Sequence, residues 1–307
     1  MVAVLALRPA LVDFDRRGFR TVPAGTRVAL EAVAGAFVDG FNLEMATKSG
    51  AAPELSAFPP ERRGLAAEGA AMAAVLRDAL NPLPGKRFAA LVAAHRDRYG
   101  YLIYVGSGWA LATLHRTRLR KLGAEAPLLR WLAYDGMGFR QAFFATRRGL
   151  RRWYRHGGSC PDTCDIRYQG LGRSLWFREC GDPAALAARI AALPPRHRAD
   201  AWSGVGLAAG YAGGVDDTGY AELRRLSGAD RPAVAQGAAF AAEAWRLSGY
   251  LPGHAHTAVQ ALAGVPLAEA AQWTWDARRG LDRPDADAGD YRRWRLRVQR
   301  AAAVHFD

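Results

Sequence analysis

Asp135, Arg173 and Glu243 are the residues in this sequence best suited to proton transfer or charge stabilisation. Asp135 lies in YDGMGFRQA and Arg173 in YQGLGRSLW, two segments that share a Gly-x-Gly core. Arg173 stands where other copies of the pattern carry a large apolar residue. A cation there can pair with Asp135 of the preceding copy or hold a ligand carbonyl or carboxylate. Burial beside aromatic rings raises a carboxyl pKa, which makes Asp135 and Glu243 candidate acids or bases able to protonate an alkene. Gln169, next to the same glycine as Arg173, is the candidate for orienting the substrate with it.

Aligning the copies exposes two columns. Just before the key glycine stand Glu68, Asp135, Gln169, Ser203, Gln236 and Glu269, with Phe37 and Val105 in two further copies. One residue earlier come Tyr104, Tyr134, Tyr168 and Trp202. An aromatic wall with sparse polar groups is the usual make-up of a small-molecule slot. The expected substrate contacts are therefore Tyr104, Trp109, Tyr134, Tyr168, Gln169, Trp202, Ser203 and Gln236. Hydrogen bonding of these polar groups to a neighbouring helix is the competing reading. A third column, three residues after the glycine, reads as packing between successive units: Phe41, Met72, Trp109, Phe139, Leu207, Phe240 and Trp273, broken by Arg173.

Other constellations are weaker. His156, Cys160, Cys164 and Cys180 offer four potential zinc ligands, but the spacing matches no familiar finger and no metal is expected. Asp216-Asp217 resembles a magnesium-holding pair, yet no third acid follows at a suitable distance and N-capping of the next helix explains it better. His254 and His256 flank one residue of a turn. No Ser–His–Asp order or nucleophile elbow is present, and no cofactor is implied.

These residues need elements that bring the copies together. The frame of WSGVGLAAGY recurs eight times, with its third residue at Val38, Gly69, Gly106, Gly136, Gly170, Gly204, Gly237 and Ala270. A period of about 34 residues predicts an all-α array of about eight helical hairpins, either a TPR-like solenoid or a closed α/α ring. Prolines nine residues before the glycine (Pro60, Pro127, Pro161, Pro195) mark helix starts. Shorter partner helices are expected over Pro183–Leu193, Asp217–Leu226 and His254–Leu262. Each helical glycine costs about 1 kcal/mol against alanine, so the pair implies close backbone approach rather than a phosphate loop, which needs a strand–turn–helix setting. Tyr101–Val105 (YLIYV) alone looks like a buried strand, but the alanine-rich flanks favour helix. The expected organisation is an N-terminal cap over 1–22, the repeats over 23–280, and a basic capping helix within 281–307.

With 42 basic and 29 acidic residues the chain carries +13, and all but three of the cations are arginine. Arg147–His156 and Tyr291–Arg300 mix arginines with aromatics, a composition that can bind nucleic acid. Solvated helix faces explain it better, and an acidic carrier protein or anionic surface is the preferred partner over nucleic acid. No secretory leader or apolar run long enough to span a bilayer is apparent, so the expected location is the cytoplasm.

YDGMGFRQAFF, YQGLGRSLWF and RADAWSGVGLAAGYAGG resemble the hallmark blocks of an uncharacterised bacterial family encoded beside enediyne polyketide synthases, and the resemblance spans nearly the whole chain. It implies natural-product biosynthesis, with an apolar polyene or polyketide intermediate as ligand and an acyl carrier protein or another pathway enzyme as partner. It carries over no catalytic residue. The expected function is binding a long polyene between helices and converting it by cofactor-free isomerisation, cyclisation or hydration. The alternative is a non-catalytic scaffold for a carrier protein or partner enzyme. An enzyme should enclose its groove and bury Asp135 and Arg173, whereas a scaffold should leave a concave face open.

Overall fold

The computed structural model describes residues 6–48, 51–81, 86–115, 126–155 and 161–306, and every regular element among them is helical. The helices are α1 (Phe14–Arg17), α2 (Ala24–Ala46), α3 (Pro60–Leu80), α4 (Arg87–Thr113), α5 (Leu132–Phe143), α6 (Arg147–Tyr154), α7 (Cys164–Arg178), α8 (Pro183–Ala191), α9 (Arg198–Ala212), α10 (Asp217–Leu226), α11 (Arg231–Ser248), α12 (Gly253–Ala263), α13 (Leu267–Arg278) and α14 (Ala288–Ala303). Tyr101–Val105 is helical, inside α4, which bends where Tyr99 leaves helical geometry at φ −129°. The alanines flanking YLIYV favour the helix, which satisfies the segment's backbone groups internally.

The glycines explain how the helices meet. A Cβ on Gly106 would lie 2.0 Å from the Glu68 carbonyl oxygen, on Gly136 1.9 Å from that of Val105, and on Gly170 2.0 Å from that of Asp135. On Gly204 it would lie 1.9 Å from the Gln169 oxygen and on Gly237 1.9 Å from that of Ser203. The second glycine of each pair faces the next helix instead: Gly108 against Ala133, Gly138 against Arg167, Gly172 against Ala201 and Gly206 against Val234. Each of α4, α5, α7 and α9 thus lies backbone to backbone on its predecessor and its successor in the series α3, α4, α5, α7, α9, α11. At that distance no side chain fits, and Cα–H groups approach the facing carbonyls. The propensity lost at each glycine is offset by this contact.

The shorter helices α8, α10 and α12 fall where the partner helices were expected. Asp182 and Asp216 cap α8 and α10 by accepting from Ala185 and Gly219 N–H groups, so Asp216 is a cap as its position indicated.

Both termini turn back onto the helices. The Asp287/Asp290 capping box starts α14, whose buried face carries Tyr291, Trp294, Arg295 and Val298. Trp294 stacks near Phe240 at 4.5 Å and Tyr101 at 5.9 Å, while Trp131 and Arg130 donate to the Ala286 carbonyl. The C-terminal helix therefore reaches from α11 across to α4. At the other end, Phe14 and Phe19 are buried, Arg17 donates to the Phe143 carbonyl and Arg20 N–H to that of Arg178. The N-terminal segment lies over the ends of α5 and α7 as well as along α2. No helix among the described residues is long and apolar enough to cross a membrane.

Candidate functional site

The polar column forms one connected chain of buried groups. Trp109 Nε1 donates to Glu68 Oε1 at 3.0 Å, and Arg173 Nη2 stands 3.6 Å from Glu68 Oε2. Arg173 Nη1 donates to Asp135 Oδ1, whose partner oxygen Oδ2 accepts from Gln169 Nε2 at 2.8 Å. Ser203 Oγ lies 3.5 Å from Gln169 Oε1 and donates to Gln236 Oε1 at 2.7 Å. From the far side α14 supplies Tyr291 at 3.2 Å from Gln169 Nε2, and Arg295 and Gln299 at 3.4 Å from Gln236 Oε1. Arg295 also pairs with Asp200 at 3.0 Å and Asp165 at 3.5 Å. Tyr291, Arg295 and Gln299 are four residues apart, so one face of α14 covers this stretch of the column. Glu269, the last member, is half-exposed and faces His305.

Two apolar cavities adjoin the other end of the chain. One, of about 40 Å³, is lined by residues including Tyr101, Leu132, Leu207, Tyr211 and Phe240. The second, also of about 40 Å³, is lined by Leu11, Val12, Phe37, Glu68, Trp109, Phe139, Phe143 and Phe144 among others. Leu65, Arg173 and Phe177 belong to both, so the guanidinium sits at the junction. Its Cζ lies 5.0 Å from the Phe139 ring centre, a cation–π contact. The N-terminal residues Leu11 and Val12 form part of the second cavity's wall.

Burial dominates the electrostatics here. It pushes the Glu68 carboxyl up, Arg173 pulls it back and the neighbouring Asp135 charge raises it again, leaving it at about 7. Burial alone would lower the Arg173 pKa, but Asp135 and Glu68 more than offset this and the net direction is upward. Arg173 stays charged, whereas the Glu68 carboxyl keeps its proton to a higher pH than an ordinary glutamate. Glu68 Oε2 has no hydrogen-bond partner, and its side chain reaches the second cavity. A carboxyl so placed can give a proton to a cavity occupant or take one, while Arg173 polarises an oxygen.

The structure brings Asp135, Arg173, Gln169, Ser203, Gln236 and Trp109 together. Glu243 is buried but stands apart from the chain, held by Arg246 at 2.7 Å. The tyrosine column faces the outer layer. Tyr104 meets Phe88 edge-on at 6.0 Å, Tyr134 stacks on Trp131 at 5.8 Å, and Tyr168 stacks on His197 at 3.9 Å. Trp202 is buried, and none of these four lines either apolar cavity. The cavities are walled instead by the column three residues after the glycine, through Trp109, Phe139, Arg173, Leu207 and Phe240. Helical geometry accounts for this. Positions one before and three after the glycine are i and i+4 and share a face, whereas the tyrosines are turned about 100° from the polar column. Glu68 is the functional candidate that sequence reasoning passed over, although it belongs to the polar column.

Of the four proposed zinc ligands, His156 and Cys160 lie outside the described residues. Cys164 is disulfide-bonded, so its sulfur is no thiolate ligand, and Cys180 is buried and free. No group of three or more potential ligands gathers among the described residues. His254 is not on a surface turn: it is packed under Gly213, with Nε2 3.1 Å from the Tyr211 carbonyl oxygen.

A family model described as a protein of unknown function (DUF1702) matches residues 2–302, and the chain belongs to that family. No curated protein and no solved structure matches it.

Proposed function

We propose that this DUF1702 member is an array of paired helices that encloses a long apolar molecule, a polyene or polyketide chain of a natural-product pathway of the enediyne type. The pathway rests on the resemblance of its Gly-x-Gly blocks. The observation that carries the binding reading is the meeting of two apolar cavities at Arg173, with Glu68 and Asp135 beside it. Each cavity holds only a few water-sized groups, so a chain lying through both must displace the side chains between them, and it would present its middle, or a carbonyl within it, to Arg173 and Glu68 on the walls. Burial of Asp135 and Arg173 favours an enclosed enzyme over an open scaffold.

Cofactor-free isomerisation suits these groups. Arg173 donates a hydrogen bond to a carbonyl oxygen of the bound chain, which acidifies the carbon positions conjugated with it. Glu68 in its carboxylate form takes a proton from one such carbon, the electron pair moves into the extended enolate, and Glu68 returns the proton at another carbon. Atoms and charge balance, and no oxidant is needed. Asp135, held by Gln169 and Arg173, fixes the guanidinium in place.

The test is to incubate the purified protein with a carbonyl-bearing conjugated polyene and record its absorption spectrum. The band should shift with wild type, and Glu68→Gln should slow the shift by about a hundredfold or more, the scale of a general acid–base group. A spectrum that wild type leaves unchanged while the polyene is bound would remove the isomerase reading.

A further inference from the structure

A third cavity, of about 530 Å³, opens at the surface between α4, α5, α6 and α7. Arg140, Arg152 and Arg167 line it with His115, Gln141, Trp153 and Tyr168, and no acidic side chain is among its walls. None of the three arginines has a carboxylate partner among the described residues. Arg140 lies over the Phe144 ring, 5.7 Å from its centre. Arg167 donates to Gln141 Oε1 at 2.6 Å and faces Trp153 at 5.8 Å, while its Nε is buried without a partner. The most deeply buried arginines are neutralised, Arg173 by Asp135 and Glu68 and Arg295 by Asp200 and Asp165, whereas the partly buried Arg17 and Arg178 donate to backbone carbonyls, which neither Arg140 nor Arg167 does among the described residues. Here burial lowers the pKa of Arg140 and Arg167; the Tyr168 and Tyr134 phenols offset this only in part for Arg167, and no carboxylate does so for either. A partly desolvated guanidinium pair without a counter-charge is favoured by a bound anion, and forked donors suit phosphate oxygens.

Phe144 belongs to the walls of both this cleft and the second apolar cavity. One ring therefore separates a basic surface cleft from an apolar interior. The geometry points to a phosphate-ester subsite: Arg140 and Arg167 hold the phosphate of an amphiphile whose apolar chain passes Phe144 into the cavity beside Glu68 and Arg173. This rests on the apolar-chain reading above and names the chemical class of its headgroup. Trp153 and Tyr168 border the subsite and offer ring faces to whatever organic group flanks the phosphate.

The experiment is calorimetric titration of the full chain with octyl phosphate and, separately, 1-octanol. Octyl phosphate should bind at least about tenfold more tightly, the scale of one charge-assisted hydrogen bond. Arg140→Gln and Arg167→Gln should each remove most of that preference while leaving octanol binding unchanged. Arg62→Gln, which removes the same charge from an exposed position outside the cleft, should keep the preference. Equal binding of the two probes, or a preference that survives in both cleft variants, would overturn the phosphate subsite. Octyl phosphate binding that depends on Arg140 while octanol fails to bind at all would instead sink the apolar-chain reading and leave the phosphate site standing.

Discussion

Replacing Gly170 by alanine puts a methyl group where the Asp135 carbonyl oxygen already lies. The added Cβ would stand 2.0 Å from that oxygen and 2.6 Å from the Phe139 nitrogen, against the 3.4 Å at which ordinary contact begins. Both obstacles are backbone, so no side chain can swing away, and α5 and α7 must part by an ångström or more. Overpacking of this kind costs roughly 1–3 kcal/mol where neighbours adjust, and the upper end applies where they cannot. The better helix propensity of alanine returns only about 1 kcal/mol. The net expectation is a loss of about 2 kcal/mol or more, larger if separation also breaks the Asp135–Gln169–Arg173 contacts. Gly35 in α2 supplies the control, because nothing lies within 4 Å of its added Cβ. There the same substitution should stabilise by up to about 1 kcal/mol. Urea unfolding followed by tryptophan fluorescence and far-ultraviolet circular dichroism measures both. If Gly170→Ala were as stable as wild type, the glycines would not be the contacts that set the helix spacing.

Arg173→Met leaves the Glu68 and Asp135 carboxyls buried without their cation and should destabilise by roughly 3–5 kcal/mol in urea unfolding. Adding Glu68→Gln and Asp135→Asn to it should restore part of that loss, and a triple variant no better than the single one would contradict the pairing. Glu68 also predicts a pH effect. Its folded value of about 7 lies above the ordinary 4.5, so the native state keeps a proton that the unfolded chain releases. Wild-type stability relative to Glu68→Gln should therefore fall as pH rises from about 4.5 to 7 and level off above, by at most roughly 3 kcal/mol. A difference between the two proteins that is flat across that window would place Glu68 in a more polar setting than its burial indicates.

The Gly-x-Gly frame was legible because it is a local pattern with one physical meaning inside a helix: small residues where another backbone passes. Asp135, Gln169 and Arg173 were legible for the same reason, since aligned copies place them on neighbouring helices. The two apolar cavities are not walled by the expected aromatic column. Tyr104, Tyr134 and Tyr168 drew attention as a column of aromatics, yet a turn of about 100° from the polar column sends them to the outer layer. Trp109, Phe139 and Phe240 face the cavities beside Arg173. Counting four residues forward from each polar position would have found them. Glu243 had the right chemistry but takes Arg246 as its partner on its own helix. The covering of the polar column by Tyr291, Arg295 and Gln299 depends on contacts between residues far apart in sequence, for example the 122 positions from Gln169 to Tyr291. No periodicity announces such a contact. The place of Leu11 and Val12 in a cavity wall is hidden in the same way.

The central claim is that an apolar chain occupies the two cavities through their junction at Leu65 and Arg173. Fluorescence titration with a conjugated tetraene fatty acid, whose emission rises in a dry site, measures this directly. Wild type should show saturable one-site binding with energy transfer from tryptophan. Leu65→Trp, which fills the junction, should weaken binding about tenfold or more while the circular dichroism spectrum is retained. No saturable binding by wild type, or undiminished binding by the filled and folded variant, would contradict the account.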